Sequence, residues 1–256
     1  MDVPLVALAY AVLAAAPALL LLVVMDRHDV RGGEPRWLLR HAALVGALVI
    51  APVLAVELAL AFAGLPVRGT DAGSVLVSSL FVVAIPEEAG KAAALAWLLA
   101  RRLELESRVD GLRYGARVGL GFAIVENAYY GLVVGDVGSF ALFVVARTVL
   151  TVPMHAVCGA LVGDFIARQR IDRVGLGWIG GVAAAAAVHA SFDFGLGIAS
   201  LANARADRPG FVAAALLVLA VTAVGVLAVR RRALVARVRD AEDERAAQVG
   251  DARASM

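Results

Sequence analysis

Four stretches of this sequence place ionisable side chains where an apolar helix should have none. Pro86-Glu87-Glu88-Ala89-Gly90-Lys91 lies deep inside a long apolar run and carries the only lysine of the chain. On a helix Glu87 and Lys91 stand at i,i+4 and Glu88 and Lys91 at i,i+3, so the ammonium reaches either carboxylate. One lysine does not fully neutralise two acids, and a surplus carboxylate is the raw material of a general base. The second stretch is Phe122-Ala-Ile-Val-Glu126-Asn127. In the third, Arg147, Thr151 and His155 follow at successive i,i+4 positions and share one helix face. The fourth, His189-Ala-Ser-Phe-Asp193, puts an imidazole and a carboxylate on one face in the same way.

Each group alone has a plainer reading. Lys91 and one glutamate make an internal ion pair, and a buried histidine bonds a backbone carbonyl. Glu126-Asn127 serves as hydrogen-bonding glue between helices. Arg147 neutralises Glu126, and Asp193 holds His189 in one tautomer. For Glu57 and Asp164, isolated acids near helix ends, that plain reading is preferred. His28 and His41 are read as solvated, and Cys158 as a small buried side chain. The coincidence argues for function. At 1.5 Å per residue, Glu87, Glu126, His155 and His189 lie ~20, ~12, ~25 and ~18 Å from the outer boundary of their helices. Four consecutive helices thus bring acids and imidazoles to overlapping depths.

The elements that carry these groups follow from composition. Of 256 residues 61% are apolar and 18% charged, with a mean hydropathy of +0.83, outside the range of soluble globular domains. Apolar stretches run at about 3–25, 37–64, 74–100, 111–134, 138–167, 174–201 and 210–230. Each reaches the roughly 20 residues that cross ~30 Å of hydrocarbon. They lack the alternation of barrel strands and therefore predict helices. The expected fold is all-α, a polytopic bundle of about seven transmembrane helices. An ionisable group at bilayer depth costs roughly 2.5–3.5 kcal/mol, so the polar groups above need partners or a water-filled cavity.

Arginine placement orients the bundle. Arg27, Arg31, Arg36 and Arg40 lie in the first connection, Arg101, Arg102, Arg108 and Arg113 in the third, and Arg168, Arg170 and Arg173 in the fifth. Arg230, Arg231, Arg232, Arg237, Arg239, Arg245 and Arg253 follow the last stretch. The opposite connections hold Arg68, Arg205 and Arg208. The positive-inside rule then puts the N-terminus outside and the C-terminus in the cytoplasm. Met1-Asp2 opens the first stretch with no basic region ahead of it, which reads as an uncleaved helix rather than a signal peptide. A membrane domain of residues 1–232 is expected, with a charged cytoplasmic tail, 233–256, as a fraying helical extension. The pairs Gly115/Gly119, Gly159/Gly163 and Gly177/Gly181 allow close helix approach. One cysteine excludes an intrachain disulfide, and no basic, aromatic-interleaved surface for nucleic acid is present.

Taken together the residues resemble a known family. Glu87-Glu88-x-x-Lys91, Phe122-x-x-x-Glu126-Asn127, Pro-Met-His155-Ala and His189-x-x-x-Asp193 look like the PrsW intramembrane proteases. So do Asp110-Gly111-Leu112-x-Tyr114-Gly115-Ala116, Gly119-Leu-Gly-Phe122, and Asp26-Arg27 followed by Glu34-Pro35. The likeness extends in order from about residue 17 to 195. PrsW proteins are similar in turn to the CAAX-type membrane endopeptidases. In those, a histidine stands where this chain has Glu126, and an arginine where it has Lys91.

The resemblance implies a cell-membrane protease that cuts other membrane-associated proteins, such as a single-pass regulatory protein, within the lipid bilayer. Peptide hydrolysis needs an activated water, a stabiliser for the oxyanion and a proton donor to the amine. Glu88 or Glu87 is the preferred base, with His155 assisting. His189 and Asp193 then orient the site or stabilise developing charge, and Asn127 can donate a hydrogen bond. A metal version uses His155, His189 and Glu88 as ligands for Zn2+ with an open fourth position. Lys91 beside the glutamates repels a dication, so metal-independent glutamic catalysis is favoured and no cofactor is expected. A proton- or ion-coupled transporter also needs buried acids and histidines, but no inverted repeat accompanies them here. A silent scaffold would have no need of both glutamates.

Overall fold

The computed structural model describes residues 3–28, 36–101, 105–134 and 136–254; Met1, Asp2, Arg31, Glu34, Pro35 and Arg102 lie outside the described residues. Among the described residues every regular element is a helix. In order these are α1 (Val3–His28), α2 (Arg36–Leu48), α3 (Ile50–Phe62), α4 (Ala72–Val77), α5 (Ile85–Arg101), α6 (Arg108–Val133), α7 (Val137–Ala146), α8 (Val152–Ile171), α9 (Gly177–Ala204) and α10 (Arg208–Ala254). Two π-helical segments, Ser78–Ala84 and Arg147–Thr151, join α4 to α5 and α7 to α8 without a break.

All seven apolar stretches are therefore helical. Six are long and apolar enough to cross a membrane: Leu5–Arg27, Trp37–Phe62, Ala72–Leu99, Val137–Ile171, Gly177–Ala204 and Arg208–Asp251. The remaining stretch, expected at 111–134, is α6, which is too polar to qualify because it carries Arg108, Asp110, Arg113, Arg117 and Glu126. Its position explains its composition. From Arg108 to Ala123 nearly every residue of α6 is buried, packed mainly against α8, α1 and α2. A helix sheathed by other helices presents little surface to lipid and can carry polar groups that pair internally.

Both π segments have a sequence cause. Pro86 and Pro153 follow them by two residues, and each lacks the N–H that an α-helix needs at that point. Just upstream the backbone widens: Ile85 N–H donates to Leu80 O and Val152 N–H to Arg147 O, five residues back in each case. Inserting one residue rotates the downstream helix by roughly 100°. The residues so rotated include Glu87 and Glu88 after one proline and His155 after the other.

Close approach of α6 and α8 is made by glycine. A Cβ added at Gly115 would meet Gly159 O at 2.0 Å, one at Gly111 would meet Gly163 O at 2.4 Å, and one at Gly119 would meet His155 O at 2.1 Å. The two helices thus touch backbone to backbone at three successive levels, and His155 sits at one end of that contact.

The last helix differs from expectation. α10 runs unbroken for 47 residues, ~70 Å at the α-helical rise. The charged segment beyond residue 232 does not leave the bundle at once. Ala236 is buried against Val109, Leu112, Ala116 and Ala160, and Asp240 and Asp243 receive the Arg108 guanidinium at 2.9 and 2.7 Å. Arg108 also meets Asp172 at 2.5 Å. These bonds hold the Asp172 carboxyl below its ordinary value of 3.8. Asp164, read from sequence as an isolated acid, is the partner of Arg232.

Candidate active site

Lys91 is the hub of the buried cluster. Its Nζ lies 2.9 Å from Glu87 Oε2, 2.8 Å from Glu88 Oε1 and 3.1 Å from His155 Nδ1. An ammonium has three donors and no acceptor, so His155 Nδ1 must accept. The imidazole proton then sits on Nε2, which donates to Glu126 Oε2 at 2.6 Å. The Phe122 ring covers the ammonium at 4.1 Å from its centroid, a cation–π contact that replaces water on that side.

His189 is held between two carboxylates. Nδ1 is 2.7 Å from Glu88 Oε1 and Nε2 is 3.3 Å from Asp193 Oδ2, so both ring nitrogens face acceptors. The two imidazoles meet edge to face, 5.4 Å between centroids. Arg147 donates to Glu126 Oε2 at 2.7 Å and to Asn127 Oδ1, and stacks 4.8 Å from the Tyr130 ring. The expected Arg147–Glu126 neutralisation is present, within a larger network. Within this cluster two buried polar atoms, Glu88 Oε2 and Asn127 Nδ2, have no hydrogen-bond partner among the described residues. An unpaired buried polar atom costs ~1–3 kcal/mol, and an active site is a usual reason to carry that cost.

Charge does not balance within this network. Glu87, Glu88, Glu126 and Asp193 oppose two fixed cations, Lys91 and Arg147. The remainder must be met by a proton or by an added cation.

The cluster opens onto a cavity of about 530 Å³. Glu126, Arg147, His155, His189 and Asp193 reach its wall, as do Ser78 and Ser79 from the first π segment. Arg68 in the α3–α4 connection lies at the same cavity. Glu87 and Glu88 sit behind the histidines; Glu87 is 5% exposed and Glu88 fully buried.

All nine residues singled out from sequence, Glu87, Glu88, Lys91, Glu126, Asn127, Arg147, His155, His189 and Asp193, belong to this one network. Cys158 is a free buried thiol beneath it, and His41 is exposed and bonds its own helix at Trp37 O. Glu57 was read from sequence as an isolated acid near a helix end. It is half-buried on α3, one turn beyond Val53, whose side chain occupies the space over Gly90. Val53 is itself packed with Phe122, which lies over Lys91. Ser78, Ser79 and Tyr130, which carry no motif, were missed.

The donor chemistry fits a zinc-type ion. Ligand atoms of Glu87, Glu88, His155 and His189 all lie within 4.8 Å of one another, and carboxylates with imidazoles are a usual zinc set. The unpaired Glu88 Oε2 is consistent with that fit. Lys91 now donates to three of the four residues, so an ion in their midst must displace it.

Comparison with known proteins agrees with the residue pattern. The family described as PrsW family intramembrane metalloprotease matches residues 34–229. The chain is similar to Protease PrsW of Oceanobacillus iheyensis, 27% identical over 155 residues, covering 60% of this chain and 66% of that protein. It is similar to Protease PrsW of Shouchella clausii, 28% identical over 183 residues, with 71% and 80% covered. Protease PrsW of Bacillus subtilis is 26% identical over 187 residues, with 70% and 78% covered. The first of these matches thus spans just under two thirds of its relative's length. No solved structure matches the chain.

Proposed function

We propose, from the premise that this chain belongs to the PrsW family of intramembrane metalloproteases, that it hydrolyses peptide bonds of membrane-associated proteins with water activated by a glutamate. The observation that carries this reading is the convergence of Glu87, Glu88, His155 and His189 within 4.8 Å beside a 530 Å³ cavity. The positive-inside rule orients the bundle with its N-terminus outside and the 233–256 tail in the cytoplasm. On that orientation the cavity, bordered by Arg68, faces the outer side. The substrate class is a membrane-spanning protein with a scissile bond near that face.

Glu87 is the base in this scheme, because it is the less deeply buried of the pair. Its carboxylate takes a proton from water as the water oxygen attacks the scissile carbonyl carbon. The unpaired Asn127 Nδ2–H is the donor left for the oxyanion, since both His189 ring nitrogens are taken by Glu88 and Asp193. Glu87 then returns the proton to the amide nitrogen as the C–N bond breaks, releasing one carboxylate and one amine. Glu88 and Asp193 hold His189, while Lys91 and Glu126 hold His155. Lys91 also keeps the paired acids compatible with burial.

A zinc-dependent form of the same hydrolysis is favoured by the ligand convergence itself. His155, His189 and Glu88, with Glu87 beside them, would hold the ion. When bound it would acidify a water and polarise the carbonyl.

The test is cleavage of a membrane-spanning substrate by purified protein in vesicles. Glu87→Gln should lower turnover by about 10²-fold or more while the protein stays folded, and Glu88→Gln should do so through His189. Full activity in both single variants overturns the glutamate scheme.

A further inference from the structure

At the opposite end of the bundle from the catalytic cavity, α8 and α10 diverge around a cleft of about 460 Å³. Five arginines line it, Arg108, Arg168, Arg231, Arg232 and Arg239, against a single acid, Asp164. Three of these cations are already occupied. Arg108 is shared among Asp172, Asp240 and Asp243, Arg232 is bonded to Asp164, and Arg239 lies 3.6 Å from Asp172. Arg168 and Arg231 make no ion pair among the described residues. Counted with these partner acids the site holds five arginines against four carboxylates, so the excess positive charge falls to Arg168 and Arg231, over a floor built by the Asp164–Arg232 pair.

Its surroundings narrow the ligand. The arginines stand where the last apolar stretch, 210–230, ends. Ala228 and Val235, one on each side of the arginine run, form apolar wall in the cleft. Next to them Leu227 and Leu234 are exposed, at 62% and 55%. A soluble anion has no use for that apolar margin. A phospholipid presents a phosphate and acyl chains across the same short distance. Arginine is also suited to phosphate, because its fork of donors matches two oxygens at once.

We propose that this cleft binds the phosphate headgroup of an anionic phospholipid of the cytoplasmic leaflet, with Arg168 and Arg231 as the principal contacts. Arg239 and Arg232 close the site from the α10 side. The lipid then ties α8, which carries His155, to α10 at the membrane surface. This site stands independently of the proteolytic reading, and no residue in it belongs to the catalytic cluster.

The experiment uses the full chain in nanodiscs of phosphatidylglycerol or phosphatidylcholine, with lipid retention read by native mass spectrometry. Wild-type protein should retain phosphatidylglycerol preferentially. Arg168→Gln/Arg231→Gln should lose about tenfold or more of that preference, since each interfacial arginine contributes about a factor of five. Arg205→Gln/Arg208→Gln, at the other end of the bundle, should keep it. Should the double variant fail to assemble, Arg231→Gln alone gives the same comparison, because that side chain is exposed. An undiminished preference in the cleft variants overturns the proposal. So does displacement of the retained lipid by millimolar inorganic phosphate, which would make the ligand a soluble anion.

Discussion

Lys91 Nζ of α5 and His155 Nδ1 of α8 stand 3.1 Å apart, an ammonium donating to a ring nitrogen across two helices. This bond assigns the tautomer of His155, since a group with donors only can be met only by an unprotonated nitrogen. It also makes Lys91 a member of the site rather than a distant neutraliser. Its removal leaves Glu87 and Glu88 without their shared cation.

Lys91→Met should therefore destabilise the bundle by about 3–5 kcal/mol, the cost of leaving buried charge unpaired. Thermal unfolding in detergent measures it. Lys91→Met/Glu88→Gln should recover part of the loss, because one of the stranded acids is gone. A Lys91→Met protein with wild-type stability would show that the lysine is not the counter-charge of the pair.

Gly119→Ala tests the main-chain contact that seats His155. The added methyl would lie 2.1 Å from His155 O, so α6 and α8 must part. About 1–3 kcal/mol of stability should be lost, and turnover should fall by about 10²-fold, as a displacement of ~1 Å at a catalytic group entails. Gly250→Ala, with nothing within 4 Å of the new atom, should be neutral on both measurements.

Chelation separates the two forms of the proposed chemistry. On the glutamate scheme, a strong chelator applied to purified protein leaves turnover unchanged, and metal analysis finds no stoichiometric zinc. Loss of activity that zinc restores would assign the cluster to the metal.

The α10 extension gives a pH prediction. Asp172, just past the end of α8, has its carboxyl held below the ordinary 3.8 chiefly by the Arg108 hydrogen bond, against the opposing effect of burial. A carboxyl so lowered contributes its stability above the unfolded value and loses it as pH falls through the folded one. Hydrogen exchange in residues 233–243 should thus be insensitive to Asp172 titration near neutral pH and rise below about pH 3.8. Asp172→Asn should raise that exchange at neutral pH and flatten the acid limb. Equal protection in both proteins would show that the Arg108 bonds to Asp240 and Asp243 suffice.

Much of this was legible from residue types and spacing. The i,i+4 and i,i+3 steps around Lys91 became two ion pairs, and the His189–Asp193 step became a bond. Overlapping depths on four helices became a single network. Hydropathy counted 111–134 as a seventh span, whereas α6 is too polar to stand among the six candidate spans, because Arg117 and Glu126 lower the apolarity of a helix that other helices enclose. The π segments were invisible to periodicity, although Pro86 and Pro153 were their cause. The path of α10 past Arg232 depended on partners distant in sequence, Arg108 and Val109, which no local pattern exposes. Glu57 was set aside because its relevance comes from the packing of Val53 on Gly90 and Phe122, not from any acid near it in the chain.

The glycine seam between α6 and α8 bears on how a polypeptide reaches the cavity. Two backbones in direct contact have no side chains to rearrange, so that pair acts as a rigid keel. Parting it would break the seat of His155. On the proposed proteolytic reading, admission of a substrate chain then falls to the lighter walls: the α3–α4 connection, which carries Arg68, and α7, which contributes Phe143. Of the buried cluster, His155 is the member seated on this seam.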